Sequence, residues 1–539
     1  MGATVRQASA ADSALWLDLF RASVGEDYPD KQVYETDWIA SQLDASSGHE
    51  TWVVEENYAF QASICFLAPS PASNNPVANL GRCLFRPESF KNGAAESLLL
   101  KINEIAEERK QLVVCRVPAD DNPQQILFEN LGFTCAGYQP FKHLHRVRHG
   151  CLFYIWFARP DVVNRFPISE SLSQVSELAA TVLGNLTIPN PVSVRDGVTG
   201  YPLKSEVLVH DSSYDDFDLW RLQAENMNPP REVSTGYNLG QGLMRASNSQ
   251  PARAVLAQRD ANFVAGMAFS FDEVDRCLRI VDSFATDDIS IGALLNHIVK
   301  VAQEQFGAVY VEVDVVMTAP RMLKTAEQLG FSPVAYLPAF FNHAGRCADV
   351  VKLVKLNMIY SLEGISLTTH ARVVVDIVDR SFQDQKVGVA VINMLRGLPI
   401  FAGLGDGELR KMARLFTQKL FRPAERIFNK GDGGNEAYVV MRGQIDIFLE
   451  EDAAKPIASV GIGQIFGELA FLDGAARNAH AVATQASILL VVQRIAFNEL
   501  VQREPHLGMV VMRNIALELS GRLRKTNTAV SAATRRQLG

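Results

Sequence analysis

The most specific chemistry in the chain sits near its C-terminal end, in the run Phe466-Gly467-Glu468-Leu469-Ala470-Phe471-Leu472-Asp473-Gly474-Ala475-Ala476-Arg477-Asn478-Ala479. A glycine at 467 lets the backbone approach a ligand closely. Free N–H groups at the start of a short helical turn favour an anion, and Arg477 offers a guanidinium that can clamp that anion through two parallel hydrogen bonds. A carboxylate in the same run, Glu468, can accept hydrogen bonds from a sugar hydroxyl. Together these groups describe a pocket for a sugar phosphate. The alternative is an ordinary Glu468–Arg477 ion pair across a barrel that binds nothing. A buried guanidinium without an anionic partner is costly, ~3 to 5 kcal/mol where a pairing is broken, which favours a ligand or a faithful internal substitute.

The elements around this run must hold the pocket. From Phe401 to Gln493, turn signals at Lys430-Gly431-Asp432, Arg442-Gly443-Gln444 and Gly461-Ile462-Gly463 separate short β-rich runs at regular spacing. That pattern predicts a small barrel or jelly roll, closed by two helices. With Gly443-Gln444-Ile445-Asp446-Ile447-Phe448 and the Gly463-x-x-Phe466-Gly467-Glu468 tract, residues 397–525 resemble the cyclic nucleotide-binding domains of catabolite-activator-type regulators, protein kinase A regulatory subunits and nucleotide-gated channels. The resemblance implies that Glu468 binds the ribose 2'-hydroxyl and Arg477 the cyclic phosphate. The backbone of Gly467, Leu469 and Ala470 would complete the cradle beside Phe466. The residue after the arginine is Asn478, where that family usually has a small or hydroxylic residue, which leaves cAMP and cGMP both open as the allosteric ligand. Transcription regulators of the family carry a helix-turn-helix after the closing helix, whereas here only the tail from Lys525 follows, so no nucleic-acid partner is expected. Leu507, Val510, Val511, Asn514, Ile515, Leu519 and Leu523 fall at helical spacing in that closing helix, either packing on its own barrel or forming a homodimer seam.

The preceding part of the chain repeats itself. Leu131-Gly132-Phe133-Thr134 with Tyr138 and Pro140 returns 198 positions later as Leu329-Gly330-Phe331-Ser332 with Tyr336 and Pro338. Each copy follows a β-rich run (112–117, 309–316), a turn with Pro123 or Pro320 and a helix-length segment. Further upstream lies another strand and helix: 80–85 then 94–107, and 278–285 then 291–303. Leu98, Leu99, Ile102, Ile105 and Ala106 fall on one helix face, the stripe that packs on a sheet. The expected organisation is an α/β domain at 1–158, a Pro-, Ser- and Asn-rich linker at 159–200, a second α/β domain at 201–357, a helical connector at 358–396, the barrel at 397–526 and a tail at 527–539.

This strand-helix-strand-helix pattern ending in Leu-Gly-Phe resembles the GCN5-related N-acetyltransferase superfamily, whose members bind acetyl-CoA between two splayed strands. The implied fold class is a multidomain α+β chain: two acetyltransferase-like α/β domains, then a β jelly-roll cyclic nucleotide-binding domain with flanking helices. The family's pyrophosphate loop matches Phe90-Lys91-Asn92-Gly93-Ala94-Ala95, where Gly93 and Ala95 fit and Phe90 does not. Lys91 would add charge near the phosphates, and Asn122 stands where the family often has an asparagine on the pantetheine arm. A tight strand-to-helix turn with no cofactor is the other reading of this loop. The second copy, Asp287-Asp288-Ile289-Ser290-Ile291-Gly292-Ala293, lacks the glycine spacing, and its two acids would repel a pyrophosphate. The family's proton donor to the departing thiolate is a tyrosine in the helix before Leu-Gly-Phe, but Phe128 and Ala326 stand there. Asp282 is a candidate base for an amine or a solvated strand-end charge. His143, His145 and His149 read as a solvated strand-edge cluster without the partners a metal needs.

Composition bounds the rest. The chain has 539 residues, 47% hydrophobic and 21% charged, which sets aside a single domain and wholesale disorder. A net charge of -8 argues against a protein built to neutralise phosphates. Seven cysteines without a Cys-x-x-Cys pair read as reduced thiols. Arg6 and Asp12 precede any apolar stretch, and no run approaches the ~20 residues of a membrane span, so a cytoplasmic protein with no membrane partner is expected. The functional expectation is a cyclic-nucleotide-regulated acyltransferase moving an acyl group from acyl-CoA to an amine, either a protein lysine or a small molecule. Its alternative is a non-catalytic cyclic-nucleotide sensor or adaptor that uses degenerate acetyltransferase folds to bind partners.

Overall fold

The computed structural model describes residues 3–67, 77–109, 112–145, 147–157, 165–166, 170–189, 193–194, 198–225, 232–233, 252–343, 346–358, 360–450 and 455–537. They form two compact units, Met1–Phe382 and Gln383–Gly539.

The first unit is built on one 14-stranded sheet. Its strands in chain order are β1 (Thr4–Gln7), β2 (Glu50–Glu56), β3 (Ala59–Leu67), β4 (Val77–Phe85), β5 (Leu112–Pro118), β6 (Thr134–His145) and β7 (Val147–Phe157). A separate two-residue pair, β8 (Glu170–Ser171) with β9 (Ser193–Val194), precedes the second set. That set comprises β10 (Leu208–Ser213), β11 (Arg253–Arg259), β12 (Asn262–Asp272), β13 (Cys277–Ala285), β14 (Tyr310–Val316), β15 (Ser332–His343) and β16 (Arg346–Leu356). Across the sheet the order is β1-β2-β3-β4-β5-β7-β6-β15-β16-β14-β13-β12-β11-β10, so each half presents the same order and the halves meet at β6 and β15. The joint is the pair Gly137↔Ala335, two positions that are themselves 198 apart. A Cβ on Gly137 would lie 2.2 Å from the Ala335 Cβ, so only glycine permits this approach. The repeat seen in the sequence is thus an approximate twofold in space, and Phe141 and Ala339, again 198 apart, share left-handed backbone at φ +52° and +54°.

Within each half the strands run antiparallel except at one place. β4 and β5 are parallel and pair from Val77↔Leu112 to Leu80↔Cys115, after which both strands continue without pairing to each other. β13 and β14 do the same from Cys277↔Tyr310 to Ile280↔Val313. Each half therefore contains a gap between two diverging strand ends.

Helices cover the sheet: α1 (Ser13–Val24), α2 (Thr36–Leu43), α3 (Ala94–Glu108), α4 (Asn122–Asn130), α5 (Ser173–Asn185), α6 (Tyr214–Glu225), α7 (Ser290–Glu304) and α8 (Pro320–Gln328). The apolar stripe of α3 (Leu98, Leu99, Ile102, Ile105, Ala106) is buried in the main core as its spacing requires. Within the interval read as a linker, α5 buries Val175, Leu178, Ala179, Val182 and Leu183 in the same core. Here an amphipathic period stands between stretches rich in turn residues. The connector interval begins without helix around Gly364 (φ +73°) and becomes α9 (Thr369–Arg396), which contributes Val374, Val378 and Phe382 to the first unit's core.

The second unit contains α10 (Asp406–Ala413), β17 (Phe416–Phe421), β18 (Arg426–Phe428), β19 (Glu436–Arg442), β20 (Ile445–Phe448), β21 (Ala458–Val460), β22 (Ile465–Phe466), α11 (Glu468–Asp473), β23 (His480–Ala483), β24 (Ser487–Gln493), α12 (Arg494–Arg503) and α13 (Pro505–Gln537). Two four-stranded sheets, β17-β24-β19-β22 and β18-β23-β20-β21, face each other around Tyr438, Val440, Ile445, Phe466, Leu489 and Val491. Leu507, Val511 and Ile515 of α13 are buried with Leu409, Phe471 and Phe497, and Asn514 donates to the Ile400 and Ala402 carbonyls at 3.2 and 2.8 Å. The start of the closing helix therefore packs on its own barrel, while Met509, Met512 and Leu517 remain exposed. Among the described residues, no helix is long and apolar enough to cross a membrane, and no group of three metal-ligating side chains occurs.

Candidate functional site

The strand β22 ends on Phe466 and the backbone turns at Gly467, φ +73°, into α11. Glycine is required twice over: the left-handed conformation is strained for other residues, and a Cβ would stand 2.8 Å from Arg477 Nη1 and 3.2 Å from the Tyr438 ring. Gly474, φ +74°, ends the same short helix. From there the chain returns as a bridge to the 431–433 turn, with Gly431 N donating to Arg477 O and Arg477 N to Asp432 O, both at 2.8 Å. This clamp fixes the arginine backbone opposite Gly467.

The Arg477 side chain is buried, 4% exposed, and so is Glu468, at 6%. Nη1 donates to Gly467 O at 2.8 Å and Nη2 to Glu436 O at 2.7 Å, while Nε is buried with no hydrogen-bond partner. The guanidinium lies over the Phe428 ring at 4.3 Å and near Tyr438 at 5.6 Å; Tyr438 in turn stacks on Phe466 at 5.1 Å. Burial lowers the Arg477 pKa below its ordinary value, with partial compensation from Tyr438 and Glu436. Arg477 is thus a desolvated cation held among aromatic rings and backbone carbonyls, with one nitrogen unsatisfied. Ala470 is buried, and Leu469 and Asn478 face solvent. Gly467 and Arg477 are thus in contact, Phe466 stacks on Tyr438 beside them, and Glu468 and Ala470 are buried in α11. The sequence did not single out Phe428, Tyr438, Glu436 or Gly434. Gly434 was detectable only as part of the Gly431–Gly434 turn, and a Cβ there would lie 2.1 Å from Ala470 Cβ.

In the first half of the sheet, the loop after β4 leads through Lys91 and Asn92, both exposed, to Gly93 at φ +79°, the N-cap of α3. Asn92 Oδ1 accepts from Ala94 N at 3.0 Å, satisfying one free helix amide. Ala94 and Ala95 are buried against the sheet. Asn122 is half-buried at the first residue of α4, where Asp121 caps Gln124 N at 3.0 Å. Phe128 is fully buried against Phe133 and Tyr154. In the second half, Asp287 Oδ1 accepts from Ile289 N at 3.0 Å and Ser290 N at 2.8 Å, so the acid at this loop serves as the cap of α7.

Asp282 and His143, for which the sequence offers a solvated reading, are buried. Asp282 is 4% exposed and 3.6 Å from the Arg221 guanidinium. His143 is buried with Nδ1 3.1 Å from Asp275, which holds that carboxyl well below the usual range against the cost of its burial. The partner is 132 residues away, because the β6–β7 hairpin reaches the start of β13, and alternation along one strand carries no sign of this. Lys142 of the same hairpin is fully buried between Glu312 Oε2 at 2.9 Å and Cys277 Sγ at 3.2 Å. Nearby Lys352 is brought down to about 7 by burial, partly offset by Asp314 at 2.5 Å. His149 pairs with Asp120 at 3.1 Å. All seven cysteines are free thiols.

Comparison with known proteins bears on the second unit. Residues 418–504 match the model of the cyclic nucleotide-binding domain family. A cyclic AMP receptor protein of Thermus thermophilus is 32% identical over 135 residues, 25% of this chain and 61% of that protein. The cAMP-dependent protein kinase regulatory subunit of Yarrowia lipolytica is 31% identical over 107 residues, 20% of this chain and 28% of that protein. The chain thus spans less than two thirds of either relative. Among solved structures, the Thermus thermophilus catabolite activator protein is 30% identical over 25% of this chain and 63% of its own, with a TM-score of 0.23. With the family match, the facing sheets and the Gly467–Arg477 cradle, the chain carries a cyclic nucleotide-binding domain at residues 418–504.

Proposed function

We propose that the protein is a cyclic-nucleotide-regulated acyltransferase that moves an acyl group from acyl-CoA to an amine. The observation that carries the regulatory part is the buried Arg477, caged by Phe428 and Tyr438 and opposed to Gly467. A cyclic phosphate takes the place of the neutral carbonyls as its partner, Glu468 receives the ribose 2'-hydroxyl, and the Gly467, Leu469 and Ala470 backbone lines the cradle. Similarity to a cyclic AMP receptor protein and a cAMP-dependent kinase subunit supports cAMP, with cGMP as the competing ligand. The acyl-CoA part rests on the acetyltransferase resemblance, supported by β4 and β5 ceasing to pair after Leu80↔Cys115 and by the Gly93 turn that opens α3. Lys91, Asn92, Gly93, Ala94 and Ala95 would hold the pyrophosphate and Asn122 the pantetheine arm. In the reaction the amine nitrogen attacks the thioester carbonyl and loses a proton; the C–S bond breaks and the thiolate is protonated to the free thiol. A tenfold preference of the nucleotide for the active arrangement supplies ~1.4 kcal/mol of coupling. The exposed row Met509, Met512 and Leu517 on α13 suits a homodimer contact.

One observation favours a second reading, a non-catalytic sensor or adaptor: Phe128 and Ala326 have no proton to give a departing thiolate. Incubating the full chain with labelled acetyl-CoA and a panel of amines, with and without cAMP, separates the two. Transfer that changes with cAMP supports the enzyme; nucleotide binding with neither transfer nor acyl-CoA binding supports the adaptor.

A further inference from the structure

The two gaps in the sheet are not equivalent. On β14, Val315 and Val316 pair with Val351 and Val350 of β16 along one edge. Their other edge faces β13, where pairing has stopped at Ile280↔Val313. Val233 forms an antiparallel bridge with Val315, and Val316 N donates to Glu232 O at 3.0 Å. With the β16 edge already taken, residues 232–233 occupy the edge that opens onto the gap. Val233 is 1% exposed.

The chain also crosses the end of α7. Tyr201 N donates to Thr325 Oγ1 at 2.7 Å, and its phenol donates to Glu232. Gly292 sits in the first turn of α7, where a Cβ would lie 2.5 Å from Pro202 O and 2.7 Å from Tyr201 Cβ. Asp287 already supplies a carboxylate to the first amides of α7. At Gly93, in the first half, nothing beyond its own turn lies within 4 Å of where a Cβ would be. Pro118 stands 198 positions before Val316 and has no N–H with which to receive a strand in the same way.

We infer that the gap between β13 and β14 is filled by the chain's own residues 232–233 and sealed by Tyr201, so that it admits no cofactor and one acyl-CoA site remains per chain, in the first half. The part concerning acyl-CoA rests on the acyltransferase reading; the closure of the second gap does not. Two measurements on the full chain separate them. Amide hydrogen exchange, read residue by residue, is expected to show Val316 slowed at least 100-fold relative to an unprotected amide. Val233→Gly is expected to speed exchange at Val316 at least tenfold while leaving Val313, inside the ladder, slow. Val316 exchanging as an unprotected amide, or unaffected by Val233→Gly, overturns the closure. Titration with acetyl-CoA is expected to give one equivalent, weakened roughly 30-fold in Gly93→Asp; a second equivalent also overturns the closure. If no acetyl-CoA binds, the acyltransferase reading falls, and slow Val316 exchange that is released by Val233→Gly still upholds the filled gap.

Discussion

Gly467 and Gly93 are the same backbone device used in two surroundings. Each ends a β segment or its loop with a left-handed glycine, φ +73° and +79°, and opens a helix. At Gly467 a buried guanidinium stands against the turn within an aromatic cage, with Glu468 beside it. At Gly93 the neighbouring charges, Lys91 and Glu96, are exposed, and Asn92 already holds one amide. Both turns open a helix, but a buried guanidinium stands against the Gly467 turn alone of the two. The Asp287 turn of the second half is a third variant, in which the protein's own carboxylate takes the anion's place.

The largest effect is expected at the cage. Arg477→Ala removes two charge-assisted hydrogen bonds and should weaken cyclic-nucleotide affinity by ~3 kcal/mol, more than 100-fold, in calorimetric titration. Retained affinity would erase the distinction between the two glycine turns. Gly93→Asp places a negative charge and a strained backbone at the α3 turn, and acetyl-CoA binding should fall by ~2 kcal/mol, roughly 30-fold, in equilibrium dialysis. Unchanged binding would show that amides at this turn do not receive the pyrophosphate.

Glu232 sharpens the comparison from the closed side. Burial raises its pKa from 4.5 to about 6, partly countered by the Tyr201 hydroxyl. The folded chain therefore binds more protons than the unfolded one between these values, and stability falls as pH rises from 4.5 through about 6. The difference is worth ~2 kcal/mol, so Glu232→Gln should flatten this part of the pH dependence in denaturant melts at pH 4.5 and 7. Equal slopes for both proteins would contradict a buried Glu232. The smallest effect is expected for Glu468→Gln, which keeps the shape but weakens acceptance from the ribose hydroxyl, with a loss of ~1.4 kcal/mol or about tenfold in cyclic-nucleotide affinity. A 2'-deoxy nucleotide should lose affinity on the wild type and lose little more on this variant.

What could be read from sequence was local or periodic. Leu131-Gly132-Phe133 and its return 198 positions later foretold two halves of one plan, and that spacing proved to relate Gly137 to its partner Ala335 across the joint. Gly467, Glu468 and Arg477 lie within eleven consecutive positions, so their joint chemistry shows as a motif. The cage does not: Phe428 and Tyr438 are indistinguishable by type from other aromatic residues of a β core, and they become a site only when two sheets face each other. Distant partners were invisible for the same reason. His143 finds Asp275, and Val233 finds Val315, through tertiary arrangement that no period of two or 3.6 encodes.

We propose that the buried Arg477 guanidinium opposite Gly467 grips a cyclic nucleotide. Isothermal calorimetry of the full chain with cAMP and with cGMP, repeated on Arg477→Ala, tests it most directly. Saturable binding of at least one of the two nucleotides by the wild type is expected, with its loss in the variant while circular dichroism remains native. Flat traces for both nucleotides with a natively folded wild type, or undiminished binding by a folded Arg477→Ala, would contradict it.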